Sequence, residues 1–219
     1  MGKKKIIGLC LAVGLMVGVV GGTLAWFTDA DSVINHFSTQ GDTSNNGIDI
    51  VEDFNSDEAS KMLPGTTVTK AVQVENKATY DQYIRVKLTK VWKDKAGKVL
   101  DKVWVLNDKI VEKETPGAEE VTLDTEFIVL NFGENLGAVA GKWIDKTEDE
   151  SEKTRGYYYY NGVVAQNELT NKLLESVTLS EDAGNIYKDL KFDVIVDAEG
   201  IQTANGAIED AWGYTPILK

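Results

Sequence analysis

The side chains that could do chemistry are few. The chain holds one histidine, His36, and one cysteine, Cys10. A conventional zinc protease needs two histidines at helical spacing, as in H-E-x-x-H, so one copy of this chain cannot build that site. A serine triad needs a histidine base beside a sharply turned nucleophile. His36 lies in Val33-Ile34-Asn35-His36-Phe37, which reads as a strand, and no G-x-S-x-G accompanies it. The 35 acidic residues could supply paired carboxylates for glycoside hydrolysis. Acids at that abundance are chiefly solvated surface. Asp42-Thr43-Ser44-Asn45-Asn46-Gly47 resembles the opening of a calcium loop, with Asp53 at the twelfth position. Asp49 stands where an apolar residue belongs, and the following residues read as strand rather than helix. Leu63-Pro64-Gly65-Thr66-Thr67 has the look of a sortase signal but precedes a strand, so it reads as a Pro-Gly turn. Asp145 to Glu152 could gather a cation weakly, although charge runs are usually solvated. The expectation is no catalytic, metal or cofactor-binding residue.

The elements that would position any site begin with a leader. Lys3, Lys4 and Lys5 precede the apolar run IIGLCLAVGLMVGVVGG, and Thr23-Leu24-Ala25 follows as a small-residue cleavage pattern. That is the layout of a secretory signal peptide, expected over residues 1–25. The apolar stretch is also long enough to span a bilayer as an uncleaved anchor. The glycines Gly14, Gly18, Gly21 and Gly22 favour cleavage. Cys10 follows Leu9, where a lipidation site expects a small residue.

Removing the three leader lysines leaves 20 basic side chains against 35 acidic ones, a net charge of −15. Such a chain repels nucleic acid and anionic lipid, so neither is an expected partner, and membrane contact is expected before processing only. The exported part has no thiol. Its stability must come from core packing or assembly rather than disulfides.

Beyond residue 40 the hydrophobic pattern has period two. Ile48, Ile50 and Phe54 share one parity. Val68, Val72 and Val74 share another, as do Ile84, Val86 and Leu88. Val121, Leu123, Phe127 and Val129 form a fourth set, and Phe192, Val194, Val196 and Ala198 a fifth. Alternation of this kind predicts half-buried strands, and the absence of long helical patterns between them predicts antiparallel pairing. Asn46-Gly47, Pro64-Gly65, Asp94 to Gly97, Pro116-Gly117 and Asn161-Gly162 read as turns. Ser180 to Asn185 reads as a turn or one helical turn. Ala207 to Trp212, closed by Gly213, reads as a short helix with Ile208 and Trp212 packed on a sheet. Residues 133–155, glycine-rich and then charged, read as a surface excursion. Tyr157 to Tyr160 return as a strand, read as an edge, with hydroxyls able to reach a rim or a partner.

Gly21-Gly22-Thr23-Leu24-Ala25-Trp26-Phe27-Thr28-Asp29 resembles the signal peptides cut by the SipW-type signal peptidase of Gram-positive bacteria. Thr23, Ala25, Trp26 and Phe27 are the positions that resemblance assigns to peptidase recognition. Tyr83 to Leu88, Gly156 to Asn161, Leu173 to Val177, Ala198 to Gln202 and Ala211-Trp212-Gly213 are similar, in order, to blocks of the BsaA-like biofilm matrix proteins related to TasA and camelysin (CalY). The pattern predicts alanine at position 200, where this chain has Gly200. The resemblance implies an all-β, antiparallel, jelly-roll-like β-sandwich with a short C-terminal helix, preceded by the signal peptide. It implies polymerisation into extracellular fibres at the surface or in the matrix of a Gram-positive bacterium. The implied partners are other copies of the chain, the SipW-type peptidase and other matrix proteins. The camelysin label of metalloprotease also comes with it.

Cleavage near Ala25 would free residues 26–40, a segment carrying Phe27, Val33, Ile34 and Phe37, ahead of a sandwich domain over residues 41–219. So much apolar surface must fold back or pair with a neighbour. The expectation is that it completes the sheet of the next subunit, a heterologous contact that propagates into filaments. The alternatives are a monomeric cell-surface binding module using Tyr157 to Tyr160, and a secreted camelysin-like hydrolase.

Overall fold

A computed structural model describes residues 21–24, 47–59, 62–204 and 206–216. The alternating segments form strands, as side chains two apart share a face. In chain order these are β1 (Gly21–Leu24), β2 (Ile48–Phe54), β3 (Thr67–Asn76) and β4 (Gln82–Lys93). Then come β5 (Val99–Leu100), β6 (Lys102–Leu106), β7 (Lys109–Val111), β8 (Glu119–Thr122) and β9 (Ile128–Asn131). The last are β10 (Trp143–Asp145), β11 (Tyr158–Tyr160), β12 (Ser176–Leu179) and β13 (Lys191–Gln202). Among the described residues, helix is confined to short pieces: α1 (Ser56–Ala59), α2 (Ala207–Trp212) and two 3-10 turns.

The strands make three sheets. The largest runs β1-β13-β4-β11-β10, with β5 added on β4. A second runs β2-β3-β12-β9, and a small third runs β7-β6-β8. Every strand pair in them is antiparallel. The fold is therefore all-β and mainly antiparallel. The two larger sheets share one apolar core, with Ile48, Val72 and Val177 from one and Val86, Trp143, Phe192 and Val194 from the other. Trp92 closes one end against Tyr187, ring centroids 4.7 Å apart, and its indole N–H donates to the Asp124 carbonyl.

Four of the five parity sets pack as the alternation predicts, with Phe54 and Leu88 only half-buried. The fifth does not. Asp124 caps a 3-10 turn, Thr125–Phe127, by accepting from the Glu126 N–H, and that turn shifts the phase. Ile128 is buried and Val129 is exposed. The 133–155 excursion is also only partly surface. It contains β10, whose Trp143 is fully buried and donates its indole N–H to the Asn171 carbonyl. The Pro64-Gly65 turn forms, pinned by the Gly65 N–H to the Leu179 carbonyl. Of the two readings for Ser180 to Asn185, the turn forms, closed by the Ala183 N–H to the Ser180 carbonyl, and a 3-10 turn follows over Asn185–Asp189. α2 ends at Gly213, whose left-handed φ of 67° lets its N–H reach the Glu209 carbonyl.

Gly200 sits where the start of β2 crosses β13. A Cβ there would stand 2.5 Å from Gln82 Oε1 and 2.7 Å from Ile48 Cγ2. Ile48 is fully buried, so it cannot retreat freely. Gly200→Ala is expected to destabilise the domain by about 1–3 kcal/mol through overpacking. The denaturant midpoint measures it, and Ile48→Ala, which removes Cγ2, should cost less in the Gly200→Ala chain than in the parent. An unchanged midpoint would show that the crossing is loose.

Candidate functional site on the largest sheet

β13 lies between β1 and β4 in the largest sheet. Along one side it pairs with β4 over its whole length, from Lys191↔Lys93 to Gln202↔Gln82. Along the other side, among the described strands, its partner is β1, which covers Asp193 to Val196 in the register Gly21↔Val196 to Leu24↔Asp193. Thr23 lies in β1 opposite Val194. The other positions assigned to peptidase recognition, Ala25, Trp26 and Phe27, lie outside the described residues. So do Val33, Ile34 and Phe37 of the assembly segment, together with His36 and the first five residues of the calcium-like loop. Asp49 and Asp53, from that loop's second half, lie in β2 as strand residues.

The outer face of the same sheet carries a polar and aromatic knot. Tyr158 and Tyr160 point to the main core, while Tyr157 and Tyr159 join Ile201, Ile208 and Trp212 on the opposite side. β11 is an interior strand between β4 and β10, not an edge. Arg85, on β4, is buried beneath this knot. Its Nε and Nη2 both donate to Glu199 Oε2, at 3.0 and 2.7 Å. Its Nη1 donates to the Lys153 carbonyl at 2.9 Å and to the Tyr159 hydroxyl at 3.1 Å. The guanidinium lies 3.9 Å from the Tyr157 ring centre and 4.6 Å from that of Trp212. The Tyr157 hydroxyl donates to Glu199 Oε1. The Tyr157 and Tyr159 hydroxyls are thus turned inward rather than presented to a partner.

Burial, reinforced by the Glu199 carboxylate, pushes the Tyr157 hydroxyl up to about 12. Burial, with Asp145 adding to it, does the same for Tyr158. An unfolded tyrosine ionises near 10.0. Above that pH the unfolded chain sheds protons that the folded chain retains, so stability is lost as pH rises towards about 12 and is fully present below 10. Denaturant midpoints between pH 9 and about 12, read beside tyrosinate absorbance, are expected to fall together with the onset of ionisation. A flat midpoint across that window would contradict the burial of both hydroxyls.

The acidic run gathers on itself. Asp145 accepts from the Thr147 N–H and hydroxyl, and Asp149 accepts from the Thr154 hydroxyl and pairs with Lys146. Among the described residues, no three His, Cys, Asp or Glu side chains stand together in a way that could hold a metal ion. Three charged residues that the sequence pattern did not single out are buried, Arg85, Lys70 and Asp193, and Glu52 is half-buried beside Lys70. Arg85 has the solvent-side parity of β4 but is covered by α2 and the tyrosines. Lys70 and Glu52 have core parity, between Val68 and Val72 and between Ile50 and Phe54, and that parity was the available signal. Comparison with protein-family models, curated proteins and solved structures found no match to this chain.

Proposed function

We propose that this chain is a secreted structural subunit of extracellular biofilm matrix fibres, of the SipW-dependent, BsaA-like kind, and that its sheets form a jelly-roll-like sandwich. Subunits join head to tail by strand exchange once the leader is removed. The observation that carries this reading is the state of β13. The strand covering Asp193 to Val196 is Gly21–Leu24, which lies upstream of the expected cut near Ala25. Cleavage takes that strand away and leaves four residues of β13 without a partner on that side among the described strands, a template for an incoming strand. The same cut frees residues 26–40, whose apolar side chains suit that place. One subunit then supplies a strand and offers an edge, and a contact of that type does not close on itself. The inward-turned tyrosine hydroxyls weigh against the monomeric binding module, which relied on presenting them.

The test is recovery of the protein from culture supernatant, with N-terminal sequencing and size analysis. A new terminus near Trp26 on material of high and broad mass is the expected result. A stable single subunit with residues 21–24 removed and its own residues 26–40 protected from protease would overturn the reading.

A further inference from the structure

Lys70 occupies a core position of β3, its side chain 1% exposed. Glu52 occupies a core position of β2, its side chain 11% exposed. The register Phe54↔Lys70 and Glu52↔Val72 makes the two diagonal neighbours on one face. Lys70 Nζ lies 2.9 Å from Glu52 Oε1 and 5.4 Å from the centre of the Phe54 ring. Burial pushes the Lys70 amine below its ordinary 10.5, against the opposing pull of Glu52.

An ammonium and a carboxylate in contact share one acidic proton. In water the proton stays on nitrogen. In an apolar interior the charged form is penalised, and the proton can pass to the carboxyl group. The result is a neutral amine facing a neutral carboxylic acid, the combination that condenses. Lys70 Nζ hydrogen-bonds Glu52 Oε1, so the Glu52 carboxyl carbon lies one covalent bond beyond the atom it already touches. Reacting pairs that reach a near-attack arrangement gain effective molarities of roughly 10⁵–10⁸ M, and a dry site disfavours the returning water. Asp193 adds an acid nearby. Its charge acts on Lys70, and its Oδ1 is buried without a hydrogen bond among the described residues. Its other oxygen, Oδ2, accepts from Lys93 Nζ, and burial raises its carboxyl pKa against that pull.

We propose that Lys70 and Glu52 condense to an intramolecular amide that ties β2 to β3. Lys70 Nζ attacks the Glu52 side-chain carboxyl carbon and a C–N bond forms. The carboxyl C–OH bond breaks, and its hydroxyl leaves with one amine proton as water. No oxidant, nucleotide or second protein is consumed. The bond would give an exported part without cysteine a covalent staple of its own, at the first strand after the freed N-terminal segment.

Intact mass spectrometry of the full secreted chain tests this without any variant. The expected mass is about 18 Da, one water, below that of the processed sequence, and unchanged by thiol reductant. After digestion with trypsin, the peptide covering residues 62–77 is expected uncut at Lys70 and joined to the peptide that carries Glu52. Lys70→Met and Glu52→Leu are each expected to restore the full mass. A wild-type mass equal to the processed sequence would overturn the proposal. So would a water loss that maps to another pair, such as Lys93 and Asp193.

Discussion

A chain beginning at Phe27 is expected to grow fibres under negative stain, and one beginning at Gly41 to remain single subunits at the same concentration. The missing segment holds Phe27, Val33, Ile34 and Phe37. Burying four such side chains contributes about 6–12 kcal/mol in gross terms. Docking two subunits costs about 4–15 kcal/mol in lost freedom, so the apolar contribution is of the size that separates assembly from none. The net charge of −15 after leader removal makes every approach between copies repulsive and leaves little else to replace it. The acceptor side is common to both truncations, because each lacks Gly21–Leu24 and so opens the β13 edge. The chain from Gly41 should therefore still accept a strand. A synthetic peptide of residues 26–40 is expected to bind it one to one without producing fibres. Equal fibre growth by both chains would remove the donor role from residues 26–40.

The experiment also marks how far the sequence could be read. Parity identified the faces of β2, β3, β4 and β13, because a half-buried strand records its environment every second residue. The phase was lost between Leu123 and Ile128, where Asp124 and Thr125 turn the chain through a 3-10 turn. An Asp followed by Thr-Glu is a capping signal, but a short one among many acids. The hairpin of β6 and β7 rests on Asn107 and Asp108, both at positive φ, a left-handed pair that favours asparagine and aspartate. That dipeptide lay in plain view between two apolar runs.

What could not be read is neighbourhood. β13 lies between β1 and β4, and β11 between β4 and β10, so strands far apart in sequence decide which edge is covered. Local pattern carries no register, and so Tyr157 to Tyr160 passed for an edge while Tyr158↔Val86 and Trp143↔Tyr160 seal both sides of β11. The same gap hid the charged core. Lys70 and Glu52 break the apolar parity of two strands, and each is tolerable in the interior only beside the other. Trp143 was hidden by glycines and charges on either side, although a tryptophan in a polar stretch is itself a signal of burial.

Arg85→Ala is expected to destabilise the folded domain by about 3 kcal/mol, the low end for breaking a buried ion pair. The low end applies because Glu199 keeps a quarter of its side chain exposed and can be partly rehydrated. Three losses act together. Glu199 loses two donors, the Lys153 carbonyl and Tyr159 hydroxyl lose a third, and the rings of Tyr157 and Trp212 lose the cation between them. For a chain of this length the melting temperature should fall by about 6–12 °C. Arg85→Lys should recover less than half, because an ammonium cannot reach a carboxylate, a carbonyl and a hydroxyl with one planar fork. The damage should be local first. α2 is held by Ile208 and Trp212 on this knot and is too short to persist alone. Trp212 fluorescence should shift to the red and the C-terminal residues become open to protease before the main core of Trp92, Trp143 and Phe192 yields. A melting temperature within a degree or two of the parent, with Trp212 unmoved, would mean that the aromatic packing alone holds α2 and that the buried charge contributes nothing to it.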